Sequence, residues 1–67
     1  TGNVSDVPAL VDALHDSEVL IRQHAAWALG EIGGTRARQA LERALCDEED
    51  AEVNNEIRLA LQEIENT

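Results

Sequence analysis

Few side chains in this sequence could do chemistry, and they are scattered. The chain carries two histidines, His15 and His24, and a single cysteine, Cys46. A zinc site needs three or four N or S ligands brought to one point. The two histidines fall in separate segments with no third ligand nearby, a poor basis for a metal centre. Cys46 stands beside carboxylates with no positive charge to activate it, and reads as an inert thiol. The acidic run Asp47-Glu48-Glu49-Asp50, followed by Glu52, resembles a calcium loop in charge alone. It lacks the central glycine and the alternating ligand spacing of such loops. It reads instead as a solvated connection in which Asp50 and Glu52 favour the start of the next helix. Arg36 and Arg43, seven residues apart, would share one helix face, with Arg38 to the side. These three could meet RNA phosphates, although Arg38 and Glu42 also have the i,i+4 spacing of an ordinary ion pair. Leu20, His24 and Trp27 make a second patch, able to dock a partner or stack on a base, or simply to pack on a neighbouring helix. No nucleophile, base and oxyanion donor converge anywhere, so no catalytic site, cofactor site or metal site is expected in the chain.

The elements that must position these residues are short helices. Over Ile21-Arg22-Gln23-His24-Ala25-Ala26-Trp27-Ala28-Leu29-Gly30-Glu31-Ile32-Gly33, apolar residues 21, 25, 28, 29 and 32 recur at i, i+4, i+7, i+8 and i+11. At about 100° per residue they form one stripe. Leu20, His24 and Trp27 lie on another side of that helix, so it wants neighbours in two directions. Before it, a first helix runs from Ser5 or Asp6 to His15, capped by one of those two residues, with Pro8 in its first turn. Val7, Leu10, Val11 and Leu14 form its buried face. Asp16 and Ser17 offer the second N-cap, with Glu18 in the first turn. Gly33-Gly34 stops the second helix. A third begins at Thr35 and buries Ala37, Leu41, Ala44 and Leu45. The fourth spans residues 50–65 and buries Val53, Ile57, Ala60, Leu61 and Ile64. Four helices and no strand make the chain all-α.

Composition sets the outer limits. In 67 residues there is one Trp and no Phe, Tyr or Met, so the core must be built from Ala, Leu, Val and Ile. That is close to the lower limit for an independently stable core. Five arginines oppose 14 acids for a net charge of −9, which repels nucleic acid and anionic membranes at long range. No apolar run approaches membrane-spanning length and no targeting segment opens the chain. The lone cysteine excludes an internal disulfide and suits a reducing cytoplasm.

An internal repeat orders the four helices. Leu10, Ala13, Leu14 and Asp16 fall on Leu41, Ala44, Leu45 and Asp47 at an offset of 31, and Ile21, Ala28, Leu29 and Ile32 on Val53, Ala60, Leu61 and Ile64 at 32. The extra residue falls in the acidic loop. Two helices per unit of about 31 residues denote an α–α superhelix, whose units bury their faces by stacking. The chain then divides into a half repeat (1–16), a full repeat (17–47) and the opening helix of the next (50–65).

The pattern Asp16…Ile21-Arg22…Ala25-Ala26…Ala28-Leu29-Gly30-Glu31-Ile32-Gly33, followed by Leu41…Ala44-Leu45…Asp47, resembles the short HEAT-like repeats of phycobilisome lyase type. With His24 and Trp27 in that stretch, and with Glu56-Ile57-Arg58-Leu59-Ala60-Leu61 after it, the chain is more narrowly similar to the C-terminal repeats of bacterial epoxyqueuosine reductases. It departs from the repeat pattern in the fourth helix, where Asn54 stands in place of the arginine and Ile57-Arg58 in place of the alanine pair. The resemblance implies a non-catalytic C-terminal appendage of a cytoplasmic iron–sulfur cluster-binding oxidoreductase of tRNA queuosine modification. Cobalamin and [4Fe–4S] clusters would be held by another region of that parent. One cysteine cannot supply a cluster. The alternative is a free-standing repeat scaffold for a protein partner.

Two expectations concern packing. An open-ended stack should leave Leu20 and Trp27 only partly buried, unless the chain self-associates through them. Ala25 and Ala28 should mark the closest helix approach, with Ala26 pointing away from it.

Overall fold

The computed structural model describes residues 7–66. It contains four helices, α1 (Val7–Ala13), α2 (Val19–Ile32), α3 (Gly34–Asp47) and α4 (Ala51–Glu65), and no strand among the described residues. The cap expected at Ser5 or Asp6 lies outside the described residues. α2 and α4 pack side by side in the largest interface, α3 lies against both, and α1 lies against α2 and α3 but not α4. No helix of the described residues is long and apolar enough to cross a membrane.

Each corner has its own physical cause. Asp50 caps α4, its Oδ1 accepting from the backbone N–H of Glu52 and of Val53 at 2.9 and 3.1 Å. At the start of α2 the expected cap is displaced. Glu18 is the N-cap residue and lies before the first turn, with no capping side chain. Asp16 instead accepts the Glu18 N–H at 2.9 Å, shaping the turn that feeds the helix. Between α2 and α3 a single residue intervenes. Gly33 and Gly34 have φ of 72° and 88°, left-handed backbone that glycine adopts without a Cβ clash. Gly34 therefore opens α3, where the sequence pattern put the start at Thr35.

The one-residue difference between the repeat offsets also has a local cause. At the end of α1, His15 N–H donates to Asp12 O (3.0 Å) and Asp16 N–H to Ala13 O (3.1 Å), the i→i+3 bonds of a tightened turn. The equivalent stretch of α3 stays α-helical to Asp47, with Glu48 N–H still bonded to Ala44 O at 2.9 Å. A tight turn uses fewer residues than an α-turn, so the first unit is one residue shorter.

The core is Leu10, Leu14, Ala25, Ala26, Leu29, Ala37, Leu41, Ala44, Val53, Ile57 and Ala60. Val7, Leu45, Leu61 and Ile64 are half-buried at its edge, and Val11 is half-buried as well. The expected α2 stripe is wrong in part. Ile21 and Ile32 are each 43% exposed and Ala28 is half-buried, whereas Ala26 is 0% exposed. Because α2 meets three helices, its buried arc is wider than one stripe and turned toward residue 26. α2 and α4 also come close at a glycine. A Cβ placed on Gly30 would stand 2.7 Å from Ala60 Cβ and 2.9 Å from Ala60 Cα. At Gly30, α2 and α4 press together with no room for a side chain.

One ion pair among the described residues ties the corners. Arg22 donates through Nε to Glu48 Oε1 at 2.9 Å and through Nη2 to Glu48 Oε2 at 3.1 Å. Its Nη1 donates to the Asp16 carbonyl at 2.7 Å. The Glu48 carboxylate also accepts the Asp50 N–H at 3.1 Å. The two side chains are 18% and 6% exposed. A bidentate guanidinium–carboxylate pair with its remaining groups bonded is the geometry in which a shielded pair holds.

These contacts fix expected stabilities, to be read from urea melts. Gly30→Ala should destabilise by about 1–3 kcal/mol through overpacking, outweighing the roughly 1 kcal/mol alanine gains over glycine in a helix. Ala26→Leu should cost a similar amount and Ala28→Leu clearly less. Equal tolerance at 26 and 28 would contradict the buried face described here. Arg22→Met, which strands the shielded Glu48 carboxylate, should cost about 3 kcal/mol. Glu48→Gln keeps an acceptor and should cost less.

Candidate functional site

Three surfaces hold the polar and aromatic residues singled out by the sequence. The first is the cleft beside the Arg22 clamp, walled by His15, Asp16, Asp47, Glu48 and Glu49. His15 is exposed there, while His24 sits on the outer side of α2, so the two histidines serve different surfaces. Among the described residues no group of three His, Cys, Asp or Glu side chains is arranged to hold a metal ion. Cys46 is exposed.

The second surface is a cleft of about 430 Å³ between α1 and α3, whose apolar floor includes Val7, Pro8, Val11 and Ala40. Arg36 and Arg43 both border it, on one helix face two turns apart as their spacing requires. Arg38 does not join them; it lies near Gly34, Thr35 and Ile64. Arg38 and Glu42 do not form the i,i+4 pair, since Arg22–Glu48 is the one ion pair among the described residues. The cationic trio is therefore a pair and a separate residue.

The third surface is the outer side of α2 and α4. Leu20 is 74% exposed, and Trp27 is 52% exposed with its ring 5.8 Å from that of His24, tilted by 40°. Two turns of helix place Leu20, His24 and Trp27 in a line. Beside Trp27 opens a groove of about 300 Å³ shared with α4. Its α4 wall includes Leu59, which is 48% exposed and which the sequence pattern alone does not single out. The signal is nonetheless present: at the offset of 32, Leu59 is the repeat equivalent of Trp27, and Glu63 that of Glu31. The Arg22 clamp has a weaker signal: Asp16 and Glu48 each stand two residues before the N-cap of the next helix, Glu18 and Asp50. Chemically these surfaces offer apolar side chains beside charged ones, a combination suited to binding.

Known proteins share this pattern. A family profile described as HEAT repeats matches residues 2–62. The chain is similar to the epoxyqueuosine reductase of Listeria monocytogenes, 48% identical over 52 residues, covering 76% of this chain and 14% of that protein. It is likewise similar to the epoxyqueuosine reductases of Bacillus anthracis, 39% identical over 59 residues (87% and 16%), and of Bacillus subtilis, 38% identical over 61 residues (90% and 16%). The chain thus spans about a sixth of the length of these curated relatives. No solved structure gives a significant match. With two-helix units stacked at a 31- to 32-residue period, a glycine corner, a buried alanine pair and a profile match across nearly the whole chain, this protein belongs to the HEAT-repeat family.

Proposed function

We propose that the chain is a non-catalytic helical-repeat scaffold, the C-terminal appendage of an epoxyqueuosine reductase, and that it braces the catalytic region of that parent. The observation that carries this reading is the 38–48% identity to named epoxyqueuosine reductases across up to 90% of the chain. The parent would be an iron–sulfur and cobalamin oxidoreductase acting in the cytoplasm on tRNA. Its cofactors would be held outside these residues: a [4Fe–4S] cluster takes four thiolates, and the chain offers the single exposed Cys46.

A second reading, a free-standing module that binds a protein partner, is favoured by the exposed Leu20 and Trp27. The partner-docking role of Leu20, His24 and Trp27 fits both readings, because an adjoining domain and a separate protein would meet the same outer face. A neighbouring iron–sulfur motif of the form C-x-x-C-x-x-C-x-x-x-C-P in the parent favours the first, and further 31-residue repeats the second. Iron–sulfur absorbance of the full-length parent is the direct measurement.

Bracing is favoured over RNA contact by charge. The chain carries −9, and its arginines gather no more densely than Arg36 with Arg43, with Arg38 apart. Removing an arginine that meets a phosphate should flatten the salt dependence of tRNA binding by about one unit of slope. If the chain is a brace, Arg36→Ala, Arg38→Ala and Arg43→Ala in the full-length parent should leave tRNA affinity and its salt slope unchanged. A weaker, flatter dependence for Arg36→Ala and Arg43→Ala would make the α1–α3 cleft part of an RNA surface instead.

A further inference from the structure

The groove between α2 and α4 has a chemistry of its own. Gly30 and Ala60 lie at its base, Trp27 and Leu59 flank them, and its rim carries Glu31, Glu56 and Glu63. Both walls are outward faces of equivalent helices: Trp27 matches Leu59 and Glu31 matches Glu63 at the offset of 32, and Glu56 lies one turn before Leu59. The floor is shallow because Gly30 and Ala60 bring the two backbones together, which leaves the indole of Trp27 and the side chain of Leu59 standing on either side. At about 300 Å³ the groove is at the small end for a metabolite site. It suits side chains presented by another polypeptide.

We infer that this groove docks a basic amphipathic segment of a protein, with aliphatic side chains set between Trp27 and Leu59 and Lys or Arg side chains meeting Glu31, Glu56 and Glu63. Charge selects this occupant. A purely apolar partner would desolvate three carboxylates with nothing to offset the cost. An anionic partner, RNA or an acidic membrane surface, would be repelled by the rim and by the net charge of −9. A second copy in a two-fold contact through this groove would set the rim against its own image. Cationic flanks around an apolar anchor satisfy rim and floor together, and charge-assisted bonds to the carboxylates fix the orientation.

The proposal deepens the scaffold reading by naming the chemistry of the partner segment. It can be tested on this chain alone, so its failure is distinct from failure of the reductase assignment, which rests on the full-length parent. Trp27 is the one aromatic residue besides the histidines, so its fluorescence reports on the groove without competing signals. The probe is a synthetic amphipathic helical peptide of leucine, alanine and arginine, compared with a version carrying glutamate in place of arginine. The arginine peptide should shift Trp27 emission to the blue with a saturable dependence, and the glutamate peptide should not. The triple variant E31Q/E56Q/E63Q should bind the arginine peptide about tenfold more weakly. The variant E18Q/E42Q/E52Q, with the same change in net charge at exposed positions away from the groove and from the other two clefts, should bind like the unsubstituted chain. Leu59→Ser should also weaken binding, and circular dichroism should show every variant folded. The proposal is overturned if no shift occurs, if the two triple variants bind alike, if the glutamate peptide binds as tightly, or if the chain sediments as a dimer that Leu59→Ser converts to a monomer.

Discussion

The guanidinium of Arg22 reaches across from α2 to the carboxylate of Glu48 and back to the carbonyl of Asp16, so three of its donors join two successive corners of the stack. Much of the structure depends on this fork. The corners at 14–18 and 48–50 carry backbone groups that helices cannot satisfy, and Asp16 and Glu48 each bond an N–H two residues ahead. Arg22 locks both of these turns with one side chain. In a core made of alanine, leucine, valine and isoleucine, shape alone leaves the sliding of one unit on the next weakly specified. A directional, largely shielded ion pair supplies the register that small aliphatic side chains cannot.

Register then decides where the helices come closest. With the corners aligned, Gly30 meets Ala60, and the two backbones approach nearer than a Cβ on residue 30 would permit. The chain achieves tight packing by subtraction, placing the smallest residues where the helices press. Two kinds of glycine serve this fold. Gly30 is required because there is no room, whereas Gly33 and Gly34 have open space around them and are required by their positive φ.

Much of this is legible in the sequence. The four helices, the Asp50 cap and the Gly33 corner follow from local chemistry, and the cores of α1, α3 and α4 follow from a single buried stripe. α2 is harder for a physical reason. A helix with three neighbours buries more than one stripe, so periodicity alone turns Ala28 and Ile32 inward and Ala26 outward. The surfaces are half legible. Spacing puts Arg36 and Arg43 together correctly, but it cannot show that Arg38 faces a different cleft. The groove is hidden from sequence because Leu59 and Gly30 look ordinary singly, and become a surface only when α4 is laid beside α2 in register.

The single-residue link at Gly33 has a further consequence for how such a stack can vary in length. With left-handed backbone on both sides of the turn, that link cannot take an added residue without rebuilding it. The opposite edge has already absorbed one, by letting α3 continue where α1 tightens. Insertions and deletions are therefore channelled to the edge that carries Arg22, and a change of repeat length there would strain the ion pair before it disturbed the core.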